Sequence, residues 1–448
     1  MIFRVLGKGF VMTILQWRIL SATWLAVLVV GSSVIGAPVP AQPSDSQLKE
    51  TALKLNDLAT TEAMQNQLTA ILKDRAATKR LVTVAAKLQA DAKEKEAPFK
   101  FNGAFVLAKL AHNVKDYTSA ELFYKFCKAN ALKIESGKKL SEAYDGLIDL
   151  YWEQKKFLEV EELCAELLNS ENESDDIQGA RGGAIEKMIQ AKARRGDHDE
   201  ALNMVDAIIA SDKNGGNWYA LKLKSDVLRE AGKLDKAIEI YPEIMKKIKA
   251  DKGLKKEPKE ILTRNLRYAL TGLYVENKDI DQAAKILEVL VKEVPENAVY
   301  KNDLGFIWAD NDQNLEESEK LIREALALDA KAREKALKDE KIDAELAKKV
   351  NAGYQDSLGW VLYKNKKYEE AIKLLTEASA DEDDGQHMEI WDHLADAHFA
   401  NKDTKKAVEI WTKALKFDDV SKRDIERRKT IGEKIAKVKA AEKENLKK

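Results

Sequence analysis

From Asp356 to Ala378 the chain reads DSLGWVLYKNKKYEEAIKLLTEA, and from Trp391 to Leu415 it reads WDHLADAHFANKDTKKAVEIWTKAL. Their apolar and small positions superpose: Leu358-Gly359 on Leu394-Ala395, Ala371 on Ala407, Leu375 on Trp411, and Ala378 on Ala414. Each segment predicts a helix, a short polar turn and a second helix. Small residues fall where two helices must approach closely. Self-similarity at this period predicts stacked helical hairpins, a solenoid held by neighbour contacts that leaves a long face free for binding.

The same register extends toward the N-terminus. A small residue opens each second helix, in the series Ala120, Val160, Ala201, Ala237, Ala283, Ser318, Ala371 and Ala407. Seven positions later stand Cys127, Leu167, Ile208, Ile244, Leu290, Ala325, Ala378 and Ala414. An apolar-small pair precedes each anchor by about twelve residues, as at Leu107-Ala108 and Leu304-Gly305. The turns between helices are polar, as in RRGDHD, EAGKLD and ENKDID, and Pro295 falls where a helix must stop. Two expansions, Lys246–Glu260 and Ala330–Val350, are Lys-rich and charge-balanced, and read as solvated helix ends or loops.

Composition agrees with a long helical array. Hydrophobic residues make up 45% and charged residues 34%, with only 7 prolines in 448 positions. That is too apolar for a disordered chain. No alternating segment predicts a sheet domain.

The spacing and motifs resemble the tetratricopeptide repeat family, over roughly Asn102 to Asp419. The resemblance is strongest in the last four units; in the first four the spacing alone carries it. It implies an all-α fold, a right-handed superhelical solenoid of antiparallel helix pairs, with about eight repeats over 102–419. The segments LGFIWADNDQNLEES, LGWVLYKNKKYEEA and IWDHLADAHFANKDTKKA are similar to exported bacterial members. In the family, first helices line the concave face at fixed offsets from the small residue. Carried over, these offsets select Asp145, Asp149, Trp152 and Glu186, then Lys222, Asp226, Arg229 and Tyr268. In the C-terminal half they select Asn302, Phe306, Asp356, Trp360, Tyr363, Asp392, Asp396 and Phe399. An acidic and aromatic lining suits an extended peptide with apolar anchors and Lys or Arg. Buried carboxylates without partners are costly, so these must be exposed or paired. The family's clamp for a C-terminal carboxylate needs paired Lys and Asn, and Lys109 stands alone.

The N-terminus reads as an export signal. Arg4, Lys8 and Arg18 precede the uncharged run ILSATWLAVLVVGSSVIGA, residues 19–37, followed by APVPAQPSDSQ. Residues 1–41 are expected to be a signal peptide, with Met12 as an alternative start and cleavage after Ala41. The competing form is an uncleaved membrane anchor, since the run is close to the length of a spanning helix. Residues 46–100 predict capping helices, or alternatively a short coiled coil. Residues 420–448 predict a cationic C-terminal capping helix with a thin stripe of Ile425, Ile431, Ile435 and Val438. It either solvates the open end or contacts an anionic lipid or polymer surface.

Catalytic signals are sparse. Cys127 and Cys164 read as small core residues, with a disulfide conceivable after export. His387, His393 and His398 cluster around Asp392 and Asp396, but no zinc-ligand spacing supports a metal there. No phosphate loop, dinucleotide fingerprint or nucleophile elbow is present. A net charge of −1 argues against nucleic acid. The expectation is a non-enzymatic scaffold of the bacterial cell envelope without cofactor, binding protein or peptide in its groove. The alternative is a membrane-anchored envelope assembly factor acting near lipid or cell-wall polymer.

Overall fold

The computed structural model describes residues 43–56, 74–92, 97–212, 216–339, 344–382, 384–417 and 422–445. Residues 1–42, over which a signal peptide or anchor is expected, lie outside the described residues. The described chain is helical throughout and falls into two compact units, Met1–Lys247 and Ile248–Lys448.

In unit 1, α1 (Asp45–Lys54) and α2 (Arg75–Asp91) pack together ahead of the first hairpin. A capping box at Ser44 and Gln47 starts α1 by satisfying two otherwise unpaired backbone N–H groups. The hairpins are α3 (Phe101–Asn113) with α4 (Tyr117–Lys133), α5 (Gly137–Glu153) with α6 (Phe157–Leu168), and α7 (Asp175–Arg195) with α8 (His198–Ser211). In the fourth, α9 (Trp218–Glu230) meets a second helix broken into α10 (Leu234–Glu239) and α11 (Tyr241–Ala250). Pro242 stands in the first turn of α11, where a missing N–H costs little.

Unit 2 repeats the plan. Its pairs are α12 (Lys256–Glu276) with α13 (Ile280–Glu293), and α14 (Ala298–Asp310) with α15 (Leu315–Lys338). After the short α16 (Ala344–Lys348) come α17 (Ala352–Lys364) with α18 (Tyr368–Ser379), and α19 (Met388–Ala400) with α20 (Thr404–Ala414). The last element is α21 (Lys422–Asn445). The second expansion begins as an extension of α15, which runs to Lys338, and Pro295 follows the C-cap of α13 at Val294.

The small-residue series explains the packing. All eight anchors, from Ala120 to Ala407, are completely buried. Gly305 shows why size matters: a Cβ there would lie 2.9 Å from the Ser318 carbonyl oxygen. That is closer than atoms tolerate, so α14 and α15 can touch only without a side chain.

The polar turns share one geometry. Each contains a left-handed residue: Lys115, Lys155, Gly196, Gly232, Lys278, Asp312, Lys366 and Lys402. The next N–H then reaches back to a helix carbonyl, as in Asp116 to Ala111 (2.9 Å), Asp279 to Tyr274 (2.8 Å) and Asp403 to His398 (2.9 Å). This is the 6→1 bond of a Schellman ending, and it turns the chain for its return. Only two of the eight positions are glycine, so the other six carry left-handed strain.

Cys127 and Cys164 are buried free thiols, and burial pushes both up, Cys164 to about 12. They act as small core residues. Among the described residues no helix is long and apolar enough to cross a membrane.

Candidate functional site

The first helices of successive hairpins stand side by side within each unit, and their outward positions form a wall. In unit 1 the wall is carried by α3, α5 and α7. Asp145 and Asp149 stand one turn apart on α5, with Trp152 three residues further. Asp149 is exposed and lies 3.6 Å from the Lys187 ammonium of α7. The same ammonium sits 4.7 Å from the Trp152 ring centroid, a cation–π contact. Trp152 also packs edge-on against Phe157 at 5.2 Å, which holds its ring half-buried.

Asp145 is different. It is half-buried, and its carboxylate accepts no hydrogen bond among the described residues. Burial pushes its pKa up to about 6, the charges of Asp149 and Glu142 add to the rise, and Lys187 opposes it. Its anion would be stabilised by a cation brought from outside.

Beside these residues lies a cleft of about 460 Å³ lined by Lys109, His112, Asn113, Lys115, Tyr124 and Glu153. Lys109 lies over the Phe105 ring at 4.6 Å. The His112 ring nitrogen Nε2 is 2.6 Å from Glu153, and the Tyr117 hydroxyl donates to Glu153 at 2.8 Å. Two of the lining residues, Lys109 and His112, stand on the family offsets, one and four positions after Ala108, yet sequence reasoning singled out Lys109 alone; the others stand off those offsets. Of the remaining middle positions, Glu186 accepts from Gln190, and Lys222 is paired with Asp226 on its own helix.

In unit 2 most of the acidic and aromatic positions expected to line a groove are closed off. Asp356, Trp360 and Asp392 are buried, and so is Asn302. The His393 Nδ1 lies 2.9 Å from Asp356, and the His393 ring stacks on Trp360 at 4.1 Å. Trp360 stacks in turn on Tyr363 at 4.8 Å and donates its indole N–H to Asp310 at 3.1 Å. Burial alone would push the His393 pKa down. The Asp356 carboxylate overcomes this and holds it above the ordinary histidine value.

Most of the remaining wall is engaged by the chain's own C-terminal helix. Arg427 donates to Asp392 at 3.0 Å and to Glu389 at 2.6 Å. Lys434 reaches Asp392 at 2.8 Å and both Asp396 oxygens at 2.7 Å. Trp411 donates to the same two carboxylates at 3.1 Å. Arg423 bridges Glu389 at 2.7 Å and Asp310 at 3.7 Å, and lies 5.8 Å from the Phe306 ring. So α21 reaches back as far as α14. The carboxylates are paired, as a buried charge requires; the cations come from within. The sequence marked α21 as cationic, but its target was hidden because helix and wall are far apart along the chain.

Phe399 stays exposed and packs against Trp411 at 5.6 Å. Tyr268 donates its hydroxyl to Asp303 at 2.6 Å, a neighbour on α14. A second cleft of about 470 Å³ remains, lined by Asn302, Phe306, Asp356, Ser357, His387 and Glu389 among others. The Asn302 Oδ1 is buried there without a hydrogen-bond partner among the described residues.

Two arrays of helical hairpins, each presenting a wall of charged and aromatic side chains, define a protein-interaction module of the repeat class. Residues 187–244 and 357–420 match the tetratricopeptide repeat family, one segment in each unit. Both segments therefore carry repeats of the tetratricopeptide type. The match at 187–244 lies among the first four hairpins, where only spacing carried the sequence resemblance. Similar solved structures include MamA (41-end) from Desulfovibrio magneticus RS-1, at 18% identity over 44% of this chain and 92% of that one, with a TM-score of 0.32. A putative kinesin light chain with TPR-like repeats from Podosopora anserina is similar at 18% identity over 45% and 94%, TM-score 0.35. BtubC (BKLC) from P. vanneervenii is similar at 17% identity over 52% and 95%, TM-score 0.35. No curated protein matches the chain.

Proposed function

We propose that the chain is a non-enzymatic scaffold of the bacterial cell envelope that holds an extended segment of another protein on the wall of unit 1. The observation that carries this reading is Asp145. Its carboxylate is half-buried, has no hydrogen-bond partner among the described residues, and is held with a raised pKa beside Asp149 and Trp152. A Lys or Arg of a bound peptide supplies the missing charge, and an adjacent apolar side chain packs on the Trp152 ring. The cleft at Lys109, His112 and Glu153 continues that surface with mixed charge, which suits a partner carrying acidic residues next to its basic ones.

An array of random decapeptides probed with the full chain tests this. Retained peptides should be enriched in Lys or Arg next to Leu or Phe, and Asp145→Lys with Trp152→Ala should cut the signal about tenfold or more. Equal signal from wild type and variant overturns the reading. Export is proposed from residues 1–41, where basic residues precede an uncharged apolar run. Cell fractionation checks it: recovery in the cytoplasm alone contradicts it.

A further inference from the structure

We infer that α21 is an internal ligand of unit 2, and that the wall it covers is a second binding surface, specific for a cationic amphipathic helix. This goes beyond the peptide site proposed on unit 1 and uses none of its residues.

The argument starts from how α21 is attached. One stripe of the helix carries Arg423, Arg427, Ile431, Lys434 and Val438, at steps of four, four, three and four, so all five share a face. Ile431 and Val438 are buried in the unit 2 core. The three cations meet Asp310, Glu389, Asp392 and Asp396 on the first helices α14 and α19. A helix serving only to solvate the last hairpin needs apolar contact with α19 and α20, not an arginine reaching α14. The opposite face is polar, and Ile425 is 61% exposed. The helix packs on both members of the last hairpin and sends Arg423 across to α14, held as a bound peptide would be, by a few apolar anchors and charge-assisted hydrogen bonds. The ligand chemistry follows from its pattern: Arg at i and i+4, an apolar residue at i+8 and Lys at i+11. A partner helix with this pattern displaces α21.

Tethering gives α21 an effective concentration of the order of millimolar, so it excludes free helices unless its own contacts weaken. Fluorescein-labelled peptide 422–445 is titrated into the full chain and into full-length Arg427→Ser/Lys434→Ser. The variant should bind at least tenfold tighter than wild type, with binding falling as salt rises. Asp392→Asn/Asp396→Asn added to the variant should abolish it. Amides 422–445 should exchange faster in the variant while the melting temperature of unit 2 holds within a few degrees. A folded variant that binds no better than wild type overturns the inference. So does a variant whose unit 2 loses cooperative melting, since α21 is then a fixed part of the fold. In wild type, α21 amides should already exchange faster than those of α19 and α20; equal protection also overturns it.

Discussion

The two units are built from the same hairpin and differ in what their walls do. In unit 1, among the described residues, Asp145 stands without a hydrogen-bond partner, Asp149 has a loose contact with Lys187, and Trp152 is only half-buried. In unit 2, the equivalent positions Asp356 and Asp392 are below one-tenth exposed and fully engaged. Identical family offsets therefore predict a residue's place on the wall, not its availability. Availability depends on whether another part of the chain brings countercharges, and in unit 2 His393, Arg427 and Lys434 bring them.

The largest effect that separates the walls is the cost of removing one ion-pair partner. His393→Phe keeps the stack on Trp360 but strands the Asp356 carboxylate in the core. Unit 2 should lose about 3 kcal/mol in denaturant unfolding. Lys187→Ala, the matching change in unit 1, should cost less than about 1 kcal/mol, since that pair is largely solvated. Equal costs would erase the distinction. The same pair carries a pH signature. The folded-state pKa of His393 is raised above its unfolded value, so its stabilisation is complete below about pH 6.5 and is lost as pH rises through the folded pKa. Unit 2 should therefore weaken as pH rises above about 6.5 in wild type, and this slope should vanish in His393→Phe.

A smaller effect belongs to unit 1. Asp145 is pushed up to about 6, so it is mostly neutral at pH 5 and mostly charged at pH 7. A basic peptide recognising its anion should bind about tenfold tighter at pH 7 than at pH 5, about 1.4 kcal/mol. Fluorescence titration at both pH values checks it, and Asp145→Asn should flatten the profile.

The smallest effect should not separate the units at all. Lys115→Gly in unit 1 and Lys278→Gly in unit 2 both relieve a left-handed lysine in a hairpin turn. Each should raise stability by up to about 1 kcal/mol. A gain in only one unit would show that the hairpins themselves differ.

Much of the fold was legible because repeat packing is local. The anchors from Ala120 to Ala407 are spaced by the hairpin, and every one proved fully buried. Turn geometry was half legible: the polar segments marked the turns, but lysines replace the glycine that would have announced a left-handed residue. The wall was legible as positions and misleading as a surface. Asp392 and Arg427 are brought together only by the fold, and no short-range pattern carries that pairing. Tyr124 and Glu153 were missed in the unit 1 cleft because they lie off the family offsets; His112 was missed although it stands on one, four residues after Ala108.

The central claim is that the wall of unit 1 is free while that of unit 2 is occupied by α21. Amide hydrogen exchange of the full chain, with and without a basic decapeptide selected from the array, tests it most directly. Slowed exchange along 101–113 and 137–153, with 352–364, 388–400 and 422–445 unchanged, is the predicted footprint. Protection of 388–400 with faster exchange of 422–445, and no change on α3 and α5, would contradict it.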